Sequence, residues 1–124
     1  MAKDKPPAGS SADELYSEAR AIWADAIDLD LFDDPRSIRR VAAILERAVK
    51  ADPTHAAALG MLADLLAALT AYAEAEEYGR RVGELEPGVV EHARRLELLA
   101  LPNGPDKRKA IISHLTRRWR RSEW

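Results

Sequence analysis

Apolar residues along this chain recur every three or four positions, and no stretch alternates apolar with polar as a half-buried strand would. Leu15, Ala19, Ile22, Trp23, Ala26 and Ile27 form the first such stripe. It follows Ser11-Ala12-Asp13-Glu14, a capping box, so a first helix is expected to begin near Ala12. Asp34-Pro35 reads as an N-cap with proline in the first turn, opening a second helix with Ile38, Val41, Ala42, Leu45, Ala48 and Val49 on one face. Pro53 stops it, and Thr54 is the expected cap of a third helix carrying Leu59, Leu62, Leu65, Leu66 and Leu69. A fourth is predicted from Tyr72 to Glu86, ended by Pro87-Gly88. A fifth runs from about Val89 to Leu101 with Ala93, Leu96 and Leu99 inward. After the break Pro102-Asn103-Gly104-Pro105, Asp106 is expected to cap a sixth helix with Ile111, Ile112, Leu115 and Trp119 on one side. The predicted class is all-α, with six helices.

The pattern also repeats. Pro53 and Pro87 lie 34 residues apart, and Val-Lys-Ala-Asp-Pro at 49–53 answers Gly-Glu-Leu-Glu-Pro at 83–87. At the same offset Ile38 matches Tyr72, Val41 matches Ala75, Ala48 matches Val82, and Leu59, Leu62 and Leu65 match Ala93, Leu96 and Leu99. Such a period belongs to stacked helix–turn–helix units, none of which buries its apolar face alone.

Residues 56–88 resemble a tetratricopeptide repeat: Leu59, Leu62, Ala63 and Leu66 stand at that family's first-helix positions, and Ala75, Gly79, Val82 and Pro87 at its second-helix positions. Ala63 and Ala75 fall where paired helices cross closely. The flanking residues fit as two drifted repeats. The resemblance implies three antiparallel helix pairs over residues 11–121, stacked as a short superhelix with the last helix as a cap. Residues 1–10 are expected to be disordered and 122–124 frayed.

In that family the first helices line a concave groove that takes peptides. The resemblance puts the partner-binding groove at Ala57, Gly60, Asp64, Ala67 and Ala68: shallow, with Asp64 as its polar anchor. Met61 and Asp64 stand where some members carry the asparagines that clamp a terminal carboxylate, so that mode is not expected.

Composition narrows the chemistry. The 124 residues suffice for one domain, and the absence of cysteine excludes disulfides and thiolate metal sites. No apolar run reaches the roughly 18 residues of a membrane span, and the Lys- and Pro-rich start is no secretory signal, so a cytoplasmic protein is expected. The net charge of −2 hides an asymmetry, because the last twenty residues carry seven basic and two acidic side chains. Lys107, Arg108, Lys109, Arg117, Arg118, Arg120 and Arg121 are therefore a candidate basic contact. Trp119 continues the apolar stripe and is expected to pack on the fifth helix.

Gly79 and Gly83 form a smooth strip on the fourth helix, which a close fifth helix explains better than a ligand. Asp25, Asp28, Asp30, Asp33 and Asp34 crowd one turn but lack the glycine and terminal Glu of a calcium loop. His55, His92 and His114 have no metal or catalytic spacing, and no nucleophile elbow or phosphate loop occurs. Neither enzyme activity nor a cofactor or metal is expected. The expected function is a protein–protein interaction module, an adaptor or assembly factor binding a protein or peptide. Nucleic-acid or polyanion binding through the basic helix is the alternative, and homo-oligomerisation through exposed end helices is a third reading.

Overall fold

The computed structural model describes residues 11–124; the segment 1–10, expected to be disordered, lies outside the described residues. Six helices and no strand occur among them: α1 Ala12–Asp28, α2 Pro35–Ala51, α3 Ala56–Ala68, α4 Tyr72–Leu85, α5 Val90–Leu99 and α6 Pro105–Arg120. None is long and apolar enough to cross a membrane.

Their starts have local causes. Ser11 Oγ accepts from the Glu14 amide, and Asp34 Oδ1 from the Arg36 amide ahead of Pro35. α3 is capped by His55, not Thr54: its Nδ1 accepts from the Ala58 amide at 3.1 Å. Thr54 instead donates its amide and hydroxyl to Asp52 Oδ1, which holds that carboxyl below its ordinary pKa. Gly104 takes the cap position of α6 and Pro105 its first turn, leaving Asp106 inside the helix.

Three ends share one geometry. After α1, the Leu31 amide reaches Ala26 O and the Asp30 amide reaches Ile27 O, with Asp30 at φ +58°. Thr70 (φ +64°) after α3 and Ser122 (φ +56°) after α6 repeat the pattern. This is the Schellman ending, usually given to glycine because a side chain crowds the left-handed backbone. In the acidic turn Asp30 thus ends one helix and Asp34 starts the next.

α1 to α5 pack each against the next in chain order, while α6 turns back onto α3 as well as α5. Eleven of the thirteen α3 residues are buried, so this helix is covered on every side and forms the centre of the molecule. Trp23, Leu15, Leu45, Leu59, Leu62, Leu65, Val41 and Val82 are its fully enclosed neighbours or members. The whole α2 stripe is buried as expected. α5 is rolled relative to expectation: Ala93 is exposed and Leu96 half-buried, whereas Arg95, Leu98 and Leu99 face inward. Trp119 is buried, but its ring meets Trp23 of α1 edge-on at 5.0 Å and Phe32 at 6.1 Å. Its ring partners thus lie in the first helix and the turn after it.

Candidate functional site

The face of α3 holding the expected groove residues is read off in order by α6, in the opposite sense. Ala68 borders a cleft with Arg108 and Ile112, near the start of α6. Ala67 lines a small cavity together with Ile111 and Leu115. Asp64 accepts from Arg118 Nη1 at 3.0 Å. Gly60 and Ala57 share a cleft with Trp124, beyond the end of α6. Small side chains let helices approach closely: the chain's own last helix lies along Ala67 and Ala68, while Arg95 and His92 of α5 stand over Gly60. Of the five, only Ala57 is exposed.

Asp64 is 4 % exposed and sits at the centre of a charge network. Arg95 Nε donates to its Oδ1 at 2.7 Å and Arg95 Nη2 lies 3.5 Å from its Oδ2. Arg118 also pairs with Glu91 at 3.3 Å, and His114 Nε2 lies 2.8 Å from the same Glu91 oxygen. Burial opposes the Arg95 charge, but the charge and hydrogen bond of Asp64, and then the charge of Glu91, outweigh it, so the guanidinium pKa is raised. A guanidinium only donates, so His92 Nδ1, 3.0 Å from Arg95 Nη1, accepts and its Nε2–H points to Glu86 at 2.8 Å. Gly60 leaves room for this: a Cβ there would stand 3.4 Å from Arg95 Nη2.

An open cleft of about 270 Å³ remains at the Ala57 end of the face, bordered by Tyr16, Met61, His92 and Trp124 as well as Gly60. Trp124, expected to fray, lies under the Arg20 guanidinium at 4.9 Å, with its indole nitrogen buried.

The basic residues divide into two groups. Lys107 is not a surface contact: it is 3 % exposed, donates to Leu99 O at 2.7 Å and Asn103 Oδ1 at 2.8 Å, and stands 4.1 Å from the Tyr72 ring centre. Arg118 is likewise turned inward to Asp64 and Glu91. Arg108, Lys109, Arg117, Arg120 and Arg121 are exposed. Arg120 covers Phe32 at 5.2 Å and Arg121 pairs with Glu123 at 3.1 Å. Among the described residues, no carboxylate holds Arg108, Lys109 or Arg117. On α4, the close approach at Gly79 is that of α5, where an added Cβ would stand 3.3 Å from Leu96 Cδ2. Gly83 has nothing within 4 Å of such a Cβ and lines an open cleft with Val89, Val90 and Ala93.

No family model matches the chain, and neither does any curated protein or solved structure. The site is thus defined by its own geometry.

Sequence reasoning selected Asp64 but missed Arg95, Glu91 and Trp124. The signal for Arg95 was present: a carboxylate inside the apolar helix α3 requires a cation, and Gly60 one turn earlier makes space for a large one.

Proposed function

We propose that this chain is a protein–protein interaction module, an adaptor or assembly factor of tetratricopeptide-like build, that receives a partner segment along the Ala57–Ala68 face of α3. The observation that carries this reading is the open cleft at the Ala57 end of that face. There a surface of small side chains continues past the reach of α6, between Tyr16 and Trp124 and beside the charged groups of Asp64, Arg95 and Arg118. A face with small residues and one buried polar anchor suits a protein segment, which gains apolar contact and a fixed register together. Fold alone carries no function, so the proposal rests on this site.

The test is nuclease-treated capture from the source cell with wild type, Ala57→Arg, and a chain carrying alanine at Arg108, Lys109, Arg117, Arg120 and Arg121. Ala57 is exposed, so the arginine obstructs the cleft while the core stays intact. Loss of a specific protein with Ala57→Arg alone is the expected result. Retention there and loss with the alanine variant would overturn it. The unpaired Arg108, Lys109 and Arg117 favour polyanion binding as the second reading, for which affinity would fall steeply with salt.

A further inference from the structure

α6 is itself a ligand of the α3 face, and its chemistry describes what that face accepts. Ile111, Leu115 and Trp119 are buried at four-residue spacing, the last against Trp23 and Phe32 beside that face, and Arg118 reaches Asp64 and Glu91. The Asp64 half of the receptor for that arginine is held without α6, because Arg95 of α5 fixes Asp64 from the other side, while Glu91 also pairs with His114 of α6. Beyond the last turn of α6 the open cleft gives an incoming segment a foothold on the same face. The connection between α5 and α6 is short and bounded by Pro102 and Pro105, with Gly104 at φ +150°. The opposite side of α6, with Arg108, Lys109, Ser113, Arg117 and Arg120, is exposed, and there Arg120 reaches back over the Phe32 ring at 5.2 Å.

Resting on the proposed interaction role of this face, we infer that the partner segment is an amphipathic helix of the α6 kind. It carries aliphatic, aliphatic and aromatic residues four apart and an arginine just before the aromatic, and it competes with α6 for the α3 face. Charge complementarity selects it: the arginine meets Asp64 and Glu91, and a carboxylate in its place would meet two like charges. α6 then acts as a built-in competitor that lowers the apparent affinity until displaced.

The experiment uses a fluorescein-labelled peptide of residues 105–121 as the probe, titrated by fluorescence polarisation against full-length chains. Trp119→Ala and, separately, Arg118→Ala in the chain weaken the internal α6; the second keeps the apolar stripe, so it serves if the first unfolds. The expected result is at least tenfold tighter peptide binding to these variants than to wild type, and at least tenfold weaker binding of an Arg118→Glu peptide. Equal binding to all chains, or indifference to the peptide's charge reversal, would overturn the inference. So would a doubled mass of the variants in light scattering without peptide binding, since α6 would then be exchanged between two copies. If Ala57→Arg abolishes partner capture while the peptide binds no chain, the interaction face stands and only the helical identity of its partner falls.

Discussion

At the residue scale the molecule turns on Asp64. It is the one acidic side chain in α3, and two guanidinium groups from α5 and α6 depend on it. Removing one member of a buried ion pair leaves the others uncompensated, so Asp64→Ala should destabilise the chain by about 3–5 kcal/mol. Chemical denaturation followed by circular dichroism measures this, and a loss below 1 kcal/mol would mean that water already screens the network. The two α4 glycines form a second, sharper comparison. Gly83→Ala relieves the conformational freedom of the unfolded chain with open space around the new methyl, and should gain about 0.5–1 kcal/mol, raising Tm by about 2–4 °C. Gly79→Ala has the same intrinsic gain but pushes on Leu96, so its Tm should rise less or not at all.

At the scale of elements, the sequence pattern was most informative where a helix has one apolar face and a strong start. The α2 stripe from Ile38 to Val49 and the caps Ser11 and Asp34 were all legible, because spacing and capping are local physics. α5 was misphased because its burial is set from outside. Asp64 requires a cation, so Arg95 turns inward and Ala93 outward, against the apolar reading. Trp119 was recognised as buried, but its contact with Trp23 spans most of the chain and has no local signature. The α3 ending was equally hidden, since Thr70 adopts a left-handed backbone without glycine. β-branching makes that conformation costly, so Thr70→Gly should stabilise the chain by about 1 kcal/mol. Denaturant midpoints measure it, and a destabilised variant would show that the threonine side chain has a compensating role.

At the scale of the whole molecule, α3 is a central helix enclosed by all the others except on the side given to α6. α6 closes the structure through Lys107 at its start, Ile111 and Leu115 in its middle, and Arg118 and Trp119 near its end. Regions with fewer buried contacts open before the global transition. As a separable occupant of the α3 face, α6 should open on its own. Native-state hydrogen exchange of the wild-type chain tests this most directly. Amides of Ile111 to Trp119 should exchange through an opening at least about 100-fold more frequent than that of the α3 and α4 amides, with a smaller denaturant dependence. If the α6 amides instead share the protection and denaturant slope of α3, the helix is an inseparable part of one cooperative core, and the account of the site is contradicted.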